Sequence, residues 1–399
     1  MLPEFYQKVL RTHLTQSQYL LLQLLILLLQ SQRQVKLFTL AKVFPQPIQY
    51  PSRIRCLQRF LKLPQISLPL LWHPIIKYWL KQEFKRKPTS MNRESRRKRL
   101  KSSKYKYAMV VIDRTQWKEK NLFVASLVWD NHALPLHWRL LKKVGSSSLM
   151  EQKSFLIPVL KLLKPMSILV IGDREFHSAK LAKWLQDNGI DFILRQKKSS
   201  YIQVLGGKYK SLKQEGFEVG EKLFYHQIRC NKAEDIGEFN LAVYWKRGYG
   251  GKKPKDAWYL LTSLPDMETT LAIYRLRWGI EMMFKDCKTG GYNLEDAQVS
   301  EERFLALLVL VVIAYSLATL EGAFLKQQGV ASYLGRCHQE KQRRYPRHSD
   351  FALGLARYGW QQSMEQCSIL AQELIALKPH KRRYFQQGFS ALSFIQSAF

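Results

Sequence analysis

The stretch SILVIGD (167–173) constrains this chain more than any other. It is short, continuously apolar and β-branched, the pattern of a strand buried on both faces, and such strands belong to parallel sheets covered by helices. Its neighbours agree. KYAMVVID (106–113), NLFVASLVWD (121–130) and ALPLHWRLL (133–141) read as three strands at hairpin spacing, and DFILRQ (191–196) as another. A helix fits SLMEQKSFLIPVLKLLK (148–164), kinked or shortened by Pro158, and SAKLAKWLQDNG (178–189) is a helix stopped by Gly189. Three strands in a meander followed by helix, strand, helix, strand is an α/β pattern. Two of the strands end on aspartate, Asp113 and Asp173.

From about 199 to 257 the sequence turns Gly-rich and alternating, as expected of inserted β-hairpins. WYLLTSL (258–264) resumes a strand, and the segment from Met267 to Gly291 reads as one long helix. There is no internal repeat, no Walker A motif and no Rossmann glycine pattern. Both ends read as helical, giving four expected regions: a helical domain at 1–84, a basic arm at 85–106, a catalytic domain at 107–300 with a β-rich insertion at about 199–257, and a helical region at 301–399. YLLLQLLILLL (19–29) is too short for the roughly 20 residues a bilayer needs. FLALLVLVVIAYSLATL (304–320) is borderline and is read as a buried core helix, so no membrane partner is expected.

Charge narrows the class of partner. Lys and Arg number 64 against 31 Asp and Glu, a net charge of +33. A field of that sign favours a polyanion, nucleic acid above membrane surface or ribosome. Residues 85–106 alone hold eleven Lys or Arg and one Glu94, as an arm touching phosphates would. In the helical segment SRIRCLQRFLKL (52–63), Arg53, Arg55 and Arg59 punctuate an apolar pattern. They suit a DNA-reading face, and equally a helical bundle with solvated arginines. Five scattered cysteines without a CxxC pair argue against a zinc ribbon and a disulfide framework and suit a reducing cytoplasm. No signal peptide is expected, because no cleavage site follows the first apolar run.

The chemistry-bearing stretch is YRLRWGIEMMFKDCK (274–288). At helical spacing Tyr274, Arg277, Glu281 and Lys288 share an arc of about 60° beside an apolar face. An ordinary solvated face carrying an Arg277–Glu281 pair has the same spacing. The two strand-ending aspartates change the balance. Strand ends meet at one edge of an α/β sheet, where sites collect, and a carboxylate on a helix packed there would join them. Three gathered carboxylates repel unless a cation neutralises them, and hard divalent ions bind oxygen ligands.

Tyr, two residues, Arg, three residues, Glu, six residues, Lys resembles the YREK signature of the insertion-sequence-four family of bacterial DDE transposases. IDRTQW (112–117) and IGDREFHS (171–178) are similar to that family's two Asp motifs, and the order Asp, Asp, β-rich insertion, Glu is the family's own. The resemblance covers roughly 106–300. It implies a ribonuclease-H-like core with an inserted β-rich subdomain, flanked by helical terminal regions. It further implies a catalytic and metal-binding triad of Asp113, Asp173 and Glu281, with two Mg²⁺ ions for which Mn²⁺ substitutes. Tyr274, Arg277 and Lys288 would then line the DNA backbone, and Trp258 and Trp278 match aromatics that hold a flipped base. The implied activity is cut-and-paste excision and strand transfer of an insertion sequence. The implied partners are double-stranded DNA, as terminal inverted repeats and target, and a second copy in a synaptic homodimer; the implied setting is the bacterial cytoplasm. Two alternatives stand beside it: an inactive DNA-binding descendant of a transposase, and a ribonuclease-H-like nuclease without strand transfer. Arg174 and Glu175 are read as structural ion-pair residues, His177 as dispensable for the family chemistry, and Cys337–His338 as a chance pair.

Overall fold

The computed structural model describes residues 2–85, 107–117, 119–129, 132–142, 145–204, 206–231, 234, 236–248, 256–335 and 348–397. The expected basic arm lies outside the described residues apart from Lys85, as do Cys337 and His338. The chain divides into two compact units, Leu80–Phe284 and a second made of Met1–Trp79 together with Lys285–Phe399.

The chain opens with helices α1 (Glu4–His13), α2 (Gln16–Gln32), α3 (Leu37–Val43), α4 (Tyr50–Phe60) and α5 (His73–Lys85). Thr15 starts α2 with a capping box, accepting from the Gln18 amide while the Gln18 side chain accepts from its own.

Residues 80–284 build one ten-stranded sheet. Its strands are β1 (Ala108–Trp117), β2 (Lys120–Trp129), β3 (His132–Leu141), β4 (Ile168–Gly172), β5 (Asp191–Arg195), β6 (Tyr201–Gln203), β7 (Lys210–Ser211), β8 (Lys222–Cys230), β9 (Glu238–Tyr244) and β10 (Trp258–Thr262). The order is β3-β2-β1-β4-β5-β10-β9-β8-β6-β7. β1, β4 and β5 run parallel, and every other pairing is antiparallel. The hairpins expected as a β-rich insertion at about 199–257 extend this sheet past β5, because β10 pairs with β5 on one side and β9 on the other.

Helices α6 (Leu149–Leu163) and α7 (Ala179–Asp187) connect the parallel strands. Phe155 of α6 stacks on Phe123 of β2 at 3.8 Å, which anchors the helix to the sheet. Of the two effects expected of Pro158, shortening does not occur: α6 runs on to Leu163. A proline leaves the carbonyl four residues earlier without its helical donor. That carbonyl, on Ser154, accepts from Arg139 Nη2 at 3.4 Å, so the break is compensated from β3.

The long helix expected at 267–291 is divided. Helix α8 (Met267–Tyr274) passes into a 3₁₀ turn at Arg275–Arg277 and then into α9 (Trp278–Cys287). α9 approaches β3 closely at Gly279, where a Cβ would stand 2.9 Å from the His132 carbonyl oxygen. Met283, one turn on, meets the Ser126 hydroxyl at 3.5 Å.

The remaining helices are α10 (Glu301–Gln327), α11 (Ala331–Leu334), α12 (Asp350–Gln366), α13 (Ser368–Ala376) and α14 (Arg382–Ser397). α10 is long and apolar enough to cross a membrane, yet 89% of its most apolar 18-residue stretch is buried inside the protein. The first and last helices cover it together, so the regions expected as separate, 1–84 and 301–399, share one core. Tyr6 of α1 donates to Ser316 Oγ at 2.8 Å, and Gln30 of α2 donates to the Ala314 carbonyl at 3.2 Å. α12 crosses α10 backbone to backbone: a Cβ on Gly354 would fall 1.9 Å from the Ala318 oxygen, and one on Gly322 only 1.7 Å from that of Asp350.

Candidate active site

The parallel register of β1 and β4 runs through Ile112↔Gly172, so Asp113 and Asp173 follow at adjacent positions as β4 ends. β1 continues against β2, where Asp113 pairs with Val124. Asp113 Oδ1 accepts from the Arg114 amide at 2.8 Å. Asp173 caps the 3₁₀ turn Arg174–Phe176, its Oδ1 accepting from the Glu175 amide at 2.9 Å. Backbone amides thus fix one oxygen of each aspartate.

Glu281 reaches the same end of the sheet from the first turn of α9. Arg277 links it to β1: the guanidinium forms an ion pair with Glu281 and stands 3.5 Å from Asp113 Oδ2. Burial pushes the Asp113 carboxyl up to about 7, reinforced by the negative charge of Asp173 and, more weakly, Glu281; the Arg114 amide and Arg277 oppose the shift. For Arg277, burial works against the charge, but Tyr274, Glu281 and Asp113 outweigh it and hold its pKa above the ordinary value. Among the described residues no three His, Cys, Asp or Glu side chains are already gathered as an ion cage. The carboxylates are partly neutralised by an arginine.

A supporting layer surrounds them. Glu175 accepts from Arg114 Nε at 2.8 Å and from the Ser147 amide and hydroxyl at 3.1 and 2.9 Å. Arg114 also donates to Asn121 Oδ1 at 3.3 Å. Arg174 pairs with Asp256 at 3.0 Å, and Lys198 pairs with the other oxygen of that carboxylate at 2.9 Å. Both residues after Asp173 therefore stand in ion pairs, as the sequence reading expected. The sequence reading passed over Arg195, which ends β5 beside β4. Burial depresses its pKa, a shift that Tyr274 opposes and Arg174 and Arg277 reinforce. Its only sequence signal is a cation closing a buried strand, DFILR. His177 is likewise pushed down, by burial first and then by Lys197.

The other expected residues divide. Tyr274 is buried at 3% exposure, its ring edge-on to Trp258 at 4.9 Å, so it packs instead of lining a path in solvent. Trp258 is half-buried and also meets Tyr244 at 5.9 Å. Trp278 is 60% exposed. Lys288 lies beyond the end of α9 and within the other unit, where it pairs with Glu295 at 3.5 Å. In α4, Arg53 donates to the Lys42 and Phe44 carbonyls at 3.1 and 3.4 Å, which ties down the end of α3, whereas Arg55 and Arg59 are exposed.

The chain resembles known proteins in two ways. No curated relative matches its sequence. A similar solved structure is the cryo-EM structure of a piggyBac transposase synaptic complex with hairpin DNA, at 12% identity and a TM-score of 0.38, covering 98% of this chain and 83% of that one. The model of the transposase DDE domain matches residues 110–317, more than half of the chain and all three carboxylates described above. This protein belongs to the transposase DDE domain family.

Proposed function

We propose that the chain is a divalent-metal-dependent DNA transposase of the insertion-sequence-four type, which cuts at the ends of an element and joins them to target DNA. The observation that carries this reading is the adjacency of Asp113, inside β1 where its parallel pairing with β4 stops, and Asp173, which follows the last residue of β4, with Glu281 tied to Asp113 through Arg277. The strand order β3-β2-β1-β4-β5, with β1, β4 and β5 parallel, supports a ribonuclease-H-like core.

The donor types suit Mg²⁺ or Mn²⁺, since all three are hard carboxylate oxygens. Asp113, Asp173 and Glu281 would hold the ions; burial first, and then the neighbouring charge of Asp173, raises the Asp113 carboxyl. Bound there, divalent ions supply Lewis acidity to the attacking water and to the leaving 3′ oxygen of a phosphodiester. The protein's own part is positioning. Arg277 withdraws from Asp113 and Glu281 and offers its planar fork to a phosphate. Glu175 and Arg114 keep the Asp113 and Asp173 backbones in place. Trp278, exposed beside Arg277, is the better stacking face for an extruded base, because Trp258 is committed to Tyr274. Arg55 and Arg59 present cations to a DNA backbone, and the net charge of +33 draws the polyanion in.

The test is cleavage of labelled linear DNA carrying the element ends, with Mg²⁺ or Mn²⁺, comparing wild type with Asp113→Ala, Asp173→Ala and Glu281→Ala. Cuts at the boundary by wild type alone support the reading, and a hairpin-sized product identifies the pathway. Binding without cutting by any of the four proteins favours the inactive descendant. Cuts without preference for the ends favour a nuclease.

A further inference from the structure

Between α11 and α14 lies an open cleft of about 470 Å³, within the size range of small-molecule sites. Its α14 wall is made by Arg383, Gln386, Gln387, Ser390 and Phe394, at i, i+3, i+4, i+7 and i+11, a single face of a helix. Tyr333 forms the α11 wall. Both rings are held in place. Phe394 stacks on Phe324 of α10 at 5.9 Å, and Tyr333 lies nearly parallel to Trp360 of α12 at 6.4 Å. Gly388 of α14 passes the Tyr333 ring, and a Cβ there would stand 3.9 Å from it. Tyr333 is nonetheless 43% exposed, so part of the ring stays open to the cleft.

A fixed aromatic ring, two carboxamides and a guanidinium in one cleft restrict what can fill it. From Arg383 to Ser390 the helix rises about 10 Å, room for a base together with its phosphate. An apolar helix or a lipid chain would cover the rings but strip water from Arg383, Gln386 and Gln387 without replacing their hydrogen bonds. A duplex offers phosphates but keeps its bases stacked on one another. An unpaired nucleotide meets every group. Its base lies on Tyr333, its polar edge faces carboxamides that each carry donors and an acceptor, and its phosphate reaches the planar fork of Arg383. Among the described residues no acidic side chain lines the cleft. Lys378, Lys381 and Arg382, just before Arg383, are exposed as well. These are more cations than a single phosphate engages, as a tracked strand requires. We infer that the cleft between α11 and α14 binds an unpaired nucleotide of a DNA strand, with its base on Tyr333 and its phosphate on Arg383. The site belongs to the helical unit, whereas Asp113, Asp173 and Glu281 belong to Leu80–Phe284.

The inference rests on the reading that this chain handles DNA, but not on cleavage, so the two fail separately. The test is photocross-linking of the full chain, in EDTA, to a short single strand carrying one 5-iododeoxyuridine, followed by peptide mapping. The cross-link should map to Tyr333, in the wild type and in Glu281→Gln alike. An unlabelled strand should compete at least ~5-fold better than an abasic strand of the same length, the loss expected of one stacked base. Gln386→Ala with Gln387→Ala should lower the yield at least ~5-fold, as loss of a paired contact to a base edge does. Both glutamines are exposed, so the double variant should melt as the wild type does. The proposal is overturned if the cross-link maps away from Tyr333, or if the double variant melts and cross-links as wild type does. Equal competition by the abasic strand would reduce the cleft to a phosphate contact and overturn the base-binding role. A deoxynucleoside monophosphate competing as well as the strand would overturn the strand as ligand and assign the cleft to a free nucleotide.

Discussion

Arg277 Nη1 stands 3.5 Å from Asp113 Oδ2 where β1 passes the end of β4, and both side chains are more than four-fifths shielded from solvent. The same guanidinium holds Glu281. One cation thus partly offsets the negative charge of both Asp113 and Glu281.

The offset is incomplete, and this has a consequence for stability. The Asp113 carboxyl is pushed from 3.8 in the unfolded chain to about 7 in the folded one. Between those values the folded state binds more protons, so this residue's contribution to stability falls as pH rises from about 4 to about 7. Asp113→Asn removes the buried charge. Melting in EDTA should show the variant more stable than wild type by about 2–4 kcal/mol at pH 8. The difference should shrink progressively towards pH 4. A constant difference across that window would mean that Asp113 does not titrate there.

The placement of Glu281 depends on a residue without a side chain. A methyl group at Gly279 would meet the His132 carbonyl oxygen at 2.9 Å, backbone that cannot rotate away. Gly279→Ala should push α9 from β3, cost about 1–3 kcal/mol as overpacking does, and lower end cleavage at least ~10-fold by misplacing Glu281. Thermal melting and single-turnover cleavage measure the two effects. Wild-type cleavage by the variant would show that Glu281 reaches the strands without this close approach.

How far the sequence reading reached follows from which interactions are local. Asp173 was legible because an apolar strand announces itself by composition and ends where the apolar run ends. Asp113 was expected to end a strand in the same way, but β1 runs on to Trp117 in its pairing with β2, so Asp113 lies inside it. The stripe on 274–288 was read with a uniform 100° per residue, but the 3₁₀ turn at Arg275–Arg277 advances about 120° per residue. That breaks the continuous helical face assumed between Tyr274 and Glu281. Tyr274 goes into the core against Trp258, a contact between β10 and α8 that no local pattern encodes. The strands at 199–257 were expected, but their joining the main sheet depends on β10 pairing with both β5 and β9. The shared core of α1, α2 and α10 rests on bonds such as Tyr6–Ser316, 310 residues apart. Pairings that distant leave no periodicity to read.

The crossing of α10 and α12 offers a test away from the catalytic strands. With Gly354 replaced, a Cβ would overlap the Ala318 carbonyl at 1.9 Å, so the helices must separate. Gly354→Ala should destabilise the helical unit by about 1–3 kcal/mol or more. The apparent melting temperature of this unit should fall, while Leu80–Phe284 keeps its own transition. Unchanged melting would place the two helices farther apart than the glycine contacts indicate.

Of the three arginines in α4, two are free to meet phosphate and one is occupied. Arg55 and Arg59 are exposed, whereas Arg53 bonds the Lys42 and Phe44 carbonyls at the end of α3. Each phosphate contact releases counterions and adds roughly 1 to the slope of log K against log salt. Arg55→Ala with Arg59→Ala should therefore reduce that slope by roughly 2. Arg53→Ala should leave the slope nearly unchanged and cost about 0.5–1.5 kcal/mol in stability through its lost hydrogen bonds. Filter binding or fluorescence anisotropy across a salt series separates the cases. If the double variant keeps the wild-type slope, α4 does not touch the DNA backbone, and the charge that binds it lies elsewhere on the chain.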